Sequence, residues 1–307
     1  MVIVIEEKYL WLLLIKGLDY YVFIKLINTF ETMENIYEKS KNKYLFKQIL
    51  YSNNVYISNE IIFQITNSVI KNQSKTIYQK LKLNNIKIVG ILTNDYPENL
   101  KKIYMPPLGI FCLGNTELLG ENNIKNHTYY SKDFSCYGNK VYKLMLNYNK
   151  TSKISNVFNE EIKKLELEDN SNLISKCNIG KNIIILKNNI LEILENEKID
   201  FIEKIKLKNI NLKDNLFIFF CYDNYFEKSS YEIFLEYFTG VLDCILIPES
   251  SYNKEIYVIT SLLLEQGKDI HVVPGNIYTS SSYFSNFLLK EGANMILNKY
   301  DLEKYYY

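Results

Sequence analysis

GKDIHVVPGNIYTSSSYFSNFLLKEGANMI, residues 267–296, is the stretch whose reading decides the fold. Gly267 closes one helix. Ile270, Val272 and Val273 make a short β-branched strand, and Pro274-Gly275 turns the chain. A serine-rich loop then leads into a second helix closed by Gly292. Helix, strand, turn, helix is one step of a parallel α/β sheet. Gly275 is expected at positive φ, with Ser280 or Ser281 capping the second helix. The turn falls at the carboxyl end of its strand, where open α/β sheets bind ligands. Pro274, Gly275 and Asn276, with Thr279–Ser281, are therefore one candidate site.

The same alternation runs back to Asn85. Strands are expected at Ile86–Leu92, Leu108–Leu113, Thr128–Ser131, Ile154–Phe158, Ile183–Leu186, Leu216–Cys221, Leu242–Ile247, Ile270–Val273 and Met295–Leu297. Helices are expected at Asn139–Asn147, Glu160–Glu168, Ile190–Ile205, Tyr231–Phe238, Lys254–Gln266 and Ser282–Glu291. The alternation implies a doubly wound, mostly parallel sheet over residues 85–300. The unbroken apolar runs at 183–186 and 216–220 suit strands buried on both faces. Glu166–Asn182, rich in Asn, Ser and Lys, reads as a loop excursion. Residues 301–307 read as an exposed tail.

Residues 1–84 have another period. Tyr9, Leu10, Leu13 and Leu14 recur at helical spacing, and Gly17 ends that helix. Asp19 caps the next, which carries Val22, Phe23, Leu26 and Ile27. Further helical patterns run over Met33–Tyr37 and Ile61–Ile70. Together they make a small helical module, whose helix–Gly-Leu–helix opening resembles helix-hairpin-helix and SAM-like modules.

The chain of 307 residues has a formal net charge of +1, so no global field selects a polyanion. Its basic residues are all lysine, which leaves no arginine fork for phosphates or base edges. Cys112, Cys136, Cys177, Cys221 and Cys244 are scattered without a CxxC, which fits reduced thiols in a cytoplasmic protein. The apolar run Leu10–Ile15 is too short for a signal core or membrane span. His127 and His271 fall in or beside apolar strands and read as core residues. No triad order, HExxH or Walker sequence appears, so the reading is a non-enzymatic protein with no metal or cofactor.

A second candidate site lies after the strand ending at Ser131. Ser131, Lys132, Ser135 and Gly138 sit between a strand end and a helix start, where hydroxyls and backbone N–H groups suit an anion. Lys140 adds charge, with Lys143, Lys150 and Lys153 nearby. Phe226, with Tyr225 and Tyr231, is a candidate platform for unpaired bases.

Several segments, in register, resemble the DNA-processing protein A family (DprA, or Smf). Trp11-Leu12-Leu13 with Gly17-Leu18 resembles its opening helical module. Asp95-Tyr96-Pro97 and Leu100, then Pro106-Pro107-Leu108 and Gly114-Asn115, resemble its YPxxL…PPxxLFxxGN segment. Ser131-Lys132 and Ser135-Cys136-Tyr137-Gly138 resemble its GSRxxSxYG loop. Gly267, Val273-Pro274-Gly275 and Gly292-Ala293 resemble its GRxVxAVPG…GA close. The resemblance implies a helical module, then an extended Rossmann-like domain that binds single-stranded DNA, helps load a RecA-type recombinase in transformation or repair, and forms a homodimer. The chain departs from the pattern at defined places. Tyr130 replaces the GSR glycine and Lys132 its arginine. Ser155–Phe158 lacks the glycines and aspartate of SGxAxGID, and Lys187-Asn188-Asn189 replaces a glycine pair. Phe226–Tyr231 lacks the FPxRNR charges, and only Ile259-Thr260 remains of SGSLIT. Two other readings stay open. One is a diverged paralogue that keeps the fold without DNA binding. The other is a nucleotide hydrolase of the related phosphoribohydrolase superfamily, although Asn276–Thr279 lacks the glycines of PGGxGTxxE.

Overall fold

The computed structural model describes residues 2–119, 125–129, 135–149, 154–160, 181–195, 210–222 and 229–306. Six helices come first: α1 (Val2–Leu13), α2 (Tyr20–Phe30), α3 (Met33–Lys39), α4 (Lys43–Ser52), α5 (Asn59–Thr66) and α6 (Ser68–Leu83). Gly17, at φ 77°, makes the turn after α1. The Asp19 carboxylate accepts from Val22 N at 2.8 Å, the cap expected for α2. Two features were not legible from periodicity. Helix α4 gave no recognised pattern, and the run Ile61–Ile70 is broken at Asn67. Asn67 has extended backbone (φ −81°, ψ 121°), and its side chain accepts from Val69 N, so it ends α5 and caps α6.

The nine strands expected from sequence form one sheet: β1 (Lys87–Gly90), β2 (Gly109–Gly114), β3 (Lys125–Tyr129), β4 (Ile154–Glu160), β5 (Lys181–Asn189), β6 (Asn215–Phe220), β7 (Cys244–Ile247), β8 (Asp269–Val272) and β9 (Asn294–Met295). Their order is β1-β2-β6-β5-β4-β3-β7-β8-β9. The pairs β1–β2 and β2–β6 are antiparallel and all others are parallel. This is the doubly wound α/β architecture. The helices that carry it are α7 (Glu98–Lys101), α8 (Cys136–Asn149), α9 (Ile190–Glu195), α10 (Ser230–Val241), α11 (Lys254–Glu265), α12 (Tyr283–Lys290) and α13 (Lys299–Tyr306). Central strands β5 and β6 are the apolar runs, with Ile183–Leu186 and Leu216–Phe220 fully buried. Several boundaries move. β5 spans Lys181–Asn189, beyond the expected Ile183–Leu186, and takes in Lys181 and Asn182 of the expected loop, the rest of which lies outside the described residues. β3 is centred on Asn126–Thr128 and ends at Tyr129, and α8 starts at Cys136, three residues before the expected Asn139. The expected tail is mostly α13, through Tyr306. The helix expected at Glu160–Glu168 lies outside the described residues, except that Glu160 ends β4, and so does the part of the helix expected at Ile190–Ile205 beyond Glu195.

Tyr9 of α1 joins the helical module to the sheet. Its hydroxyl donates to Leu108 O at 2.6 Å and accepts from Ile91 N at 3.0 Å. The bonds are buried, and they add to the direct bond from Ile91 N to Leu108 O at 2.9 Å beside the antiparallel strands. Burial pushes the Tyr9 hydroxyl above the ordinary phenol range, so it stays a donor. Close contact requires bare backbone beneath the ring. A Cβ on Gly90 would lie 2.6 Å from Tyr9 Cζ. A second buried tyrosine, Tyr96, donates to Pro107 O at 2.6 Å and ties the Tyr-Pro and Pro-Pro segments together.

Tyr9→Phe removes two hydrogen bonds but leaves Ile91 N and Leu108 O paired with each other, at about 0.5–1.5 kcal/mol for each bond lost. Urea denaturation is expected to show a loss of about 2 kcal/mol for Tyr9→Phe, and about half that for Tyr96→Phe. Equal losses in the two variants would show that Tyr9 is not the special tie.

Candidate functional site

From β3 the chain winds outward through β4 and β5 to β6. It then returns to lay β7, β8 and β9 on the other side of β3. The topological switch point is therefore between β3 and β7, and its crevice opens at their carboxyl ends. The two turns singled out in the sequence meet there: the Ser135–Gly138 start of α8 after β3, and the Pro274–Asn276 turn after β8. Tyr137 Oη donates to Pro274 O at 3.3 Å across them.

The centre of this edge is held by Glu249, which follows β7 in Pro248-Glu249-Ser250 and is 3% exposed. Its Oε2 accepts from Ser135 N at 2.8 Å. Its Oε1 accepts from Ser135 Oγ at 2.9 Å, Ser281 Oγ at 2.8 Å and Ser282 Oγ at 3.2 Å. Burial opposes ionisation, but the hydrogen bonds from Ser135, Ser281 and Ser282 outweigh it and hold the carboxyl below its ordinary value. Gly138 is glycine for the same reason, since a Cβ there would lie 2.3 Å from Glu249 Oε2.

The serine-rich loop differs from expectation in detail. Gly275 is not at positive φ, unlike Gly17, Gly114, Gly267 and Gly292. Its lack of a side chain serves close packing instead, because a Cβ would lie 2.2 Å from Ser282 Oγ. Asn286 clamps it from both sides, accepting from Gly275 N and donating to Gly275 O, each at 3.1 Å. Neither Ser280 nor Ser281 caps α12: the cap position is Ser282, without a side-chain cap bond, and the Ser281 hydroxyl goes to Glu249. The second and third N–H groups of α12, at Phe284 and Ser285, donate to Ser250 O at 3.0 and 3.2 Å. Asn276 accepts from Tyr278 N at 2.9 Å and shapes the turn.

The same edge carries exposed aromatics. Tyr137, Tyr231, Tyr257 and Tyr283 stand in the first turns of α8, α10, α11 and α12, at 44–65% exposure, and the loop residues Tyr252 and Tyr278 are at 60% and 90%. The Tyr231 hydroxyl bonds Glu255 at 3.0 Å, and Lys187 Nζ lies 5.5 Å from the Tyr231 ring centroid. Tyr252 packs against Tyr257 at 6.1 Å and against Phe284 at 5.7 Å. Lys140 and Lys143 are exposed on α8.

At the opposite, amino edge lies a polar cavity of about 290 Å³, lined by Asn99, Lys102, Asp243, Gln266 and Lys268 among others. Lys268 Nζ donates to Gly240 O at 2.9 Å and to Thr239 O at 2.5 Å, closing the carboxyl end of α10. Burial there pulls the lysine down to about 8.

The structure thus brings Ser135, Gly138, Pro274, Gly275 and Asn276 together, with Lys140 on the adjacent helix. Ser131, Lys132 and Phe226, with Tyr130, Tyr225, Lys150 and Lys153, lie outside the described residues. His127 and His271 are buried in β3 and β8; burial and the neighbouring His271 pull His127 down to about 3. Cys112, Cys136, Cys221 and Cys244 are free thiols. Sequence reasoning missed Glu249, although the strand-end rule applied to Ile247-Pro248-Glu249 points at it.

No protein-family model matches the chain, and no curated protein matches it in sequence. Its fold matches solved structures. DNA processing protein A from Streptococcus pneumoniae superposes with a TM-score of 0.56 at 18% identity, over 94% of this chain and 98% of that one. DNA processing protein A from Helicobacter pylori, described for its single-stranded DNA binding mode, superposes with a TM-score of 0.51 at 18% identity, over 72% and 97%. The chain has the DprA fold.

Glu249 has a folded-state pKa below its unfolded value. Its contribution is present above the ordinary carboxylate range and is lost as pH falls through the lowered value. Glu249→Gln is expected to cost about 2 kcal/mol near neutrality. The gap to wild type should close as pH drops below about 4. A gap that stays constant with pH in urea melts would show that the charge carries none of it.

Proposed function

We propose that this chain is a DNA-processing protein of the DprA type that binds single-stranded DNA in the cytoplasm and holds the strand mainly by base stacking. The observation that carries this reading is the row of exposed tyrosines at the first turns of α8, α10, α11 and α12, on the edge where this fold offers a ligand crevice. Base–aromatic stacking contributes about 1–3 kcal/mol per base and tolerates any sequence. The DprA fold over nearly the whole chain, and the single-stranded DNA binding of the Helicobacter pylori protein, support the same reading. Delivery of the bound strand to a RecA-type recombinase and pairing as a homodimer belong with it. Ile277, Phe287 and Leu297, exposed apolar residues of the closing segment, supply a surface for such pairing.

A second reading is a protein that keeps the fold and serves as an interaction module without DNA. Glu249 favours it, because a carboxylate already takes the crevice donors that would face a phosphate.

Fluorescence anisotropy with labelled oligothymidine separates the two. Stacking-led binding should persist with salt at a shallow slope, since each phosphate contact on a single strand adds only about −0.7 to the log–log slope. Tyr231→Ala and Tyr257→Ala should each weaken it about tenfold. No binding at low salt would leave the interaction module as the function.

A further inference from the structure

Four donors converge at the switch point, and they come from two loops distant in sequence. Three are hydroxyls, of Ser135, Ser281 and Ser282, and the fourth is the Ser135 N–H. Such a set of neutral donors is what an oxyanion needs in a water-poor site. The oxyanion present is the chain's own, Glu249, packed so closely that Gly138 has no room for a methyl group.

We propose that Glu249 is the specificity-determining residue of this edge. Its carboxylate holds the oxyanion position and bars phosphate groups from it, so that a bound strand presents its bases to the tyrosines and no phosphate to the donors of Ser135, Ser281 and Ser282. The part concerning the strand rests on the single-stranded DNA reading; the exclusion of phosphate does not. Coulomb repulsion acts in the same direction as occupancy, since a second anion beside a buried carboxylate is disfavoured well beyond contact distance. Glutamine has nearly the same shape, retains an acceptor for the serine hydroxyls, and removes the charge. Alanine empties the position.

The test compares wild type, Glu249→Gln and Glu249→Ala by thermal unfolding in inorganic phosphate and in chloride at equal ionic strength. Wild type is expected to show no phosphate-specific shift. Glu249→Ala is expected to gain about 2 °C or more in tens-of-millimolar phosphate, with Glu249→Gln gaining less. Adding Ser281→Ala to either variant should cancel the gain. In the oligothymidine titration, Glu249→Ala should steepen the salt slope by about −0.7, one added phosphate contact. The proposal is overturned if wild type responds to phosphate as strongly as the variants. It is equally overturned if a variant that unfolds cooperatively gains nothing from phosphate. Should no form bind oligothymidine, the DNA reading falls while the phosphate comparison still decides the role of Glu249.

Discussion

Parallel winding imposes one constraint on this molecule from which the rest follows. Each strand-to-helix connection starts its helix at the same edge of the sheet, so the unpaired N–H groups of several helix starts accumulate there. Each must find an acceptor. At α10 the acceptor is a capping box, with the Ser229 hydroxyl and Glu232 carboxylate bonding each other's backbone N–H groups. At α11 it is the Asn253 side chain, 3.0 Å from Ile256 N. At α12 it is the Ser250 carbonyl. At α8 the Ser135 hydroxyl accepts from Tyr137 N and Gly138 N while itself donating to Glu249. At these four described helix starts, the polar groups that make such an edge a ligand site in other α/β proteins are occupied from within.

Residues that depart from the DprA pattern have taken up structural work of the same kind. Asn189, where the pattern has glycine, accepts from Leu191 N at 3.2 Å at the start of α9. Lys187 lies over the Tyr231 and Phe234 rings. Thr260, part of the remnant of SGSLIT, is buried and returns its hydroxyl to Ile256 O at 2.8 Å within α11. None of these groups projects a free cation or a bare backbone amide. Among the described residues, exposed aromatic side chains stand around the edge, with Lys140 and Lys143 on α8 beside them.

Most of the fold was legible in the sequence, because the features that specify it are local. Strands β5 and β6 are short apolar runs, Gly17, Gly267 and Gly292 mark chain reversals at positive φ, and Asp19 announces α2 one residue ahead. The misreadings share a physical cause. Asn67 interrupts a helical pattern without glycine or proline, by a side-chain bond to its own neighbour. Gly275 is explained by Ser282 pressing on it, a contact that no turn statistic encodes. Glu249 meets Ser135 across a separation of 114 residues. A lone glutamate after a strand has no periodicity and no motif, so its meaning appears only when the sheet order sets β7 beside β3.

The taper of the sheet has a consequence of its own. β5 runs over nine residues, whereas the border strands β1 and β9 have four and two. Borders this short expose few backbone groups to recruit a further strand, which is how natural sheets avoid growing into fibrils. Copies of this chain that come together would therefore meet through side-chain surfaces, and the sheet itself stays finite.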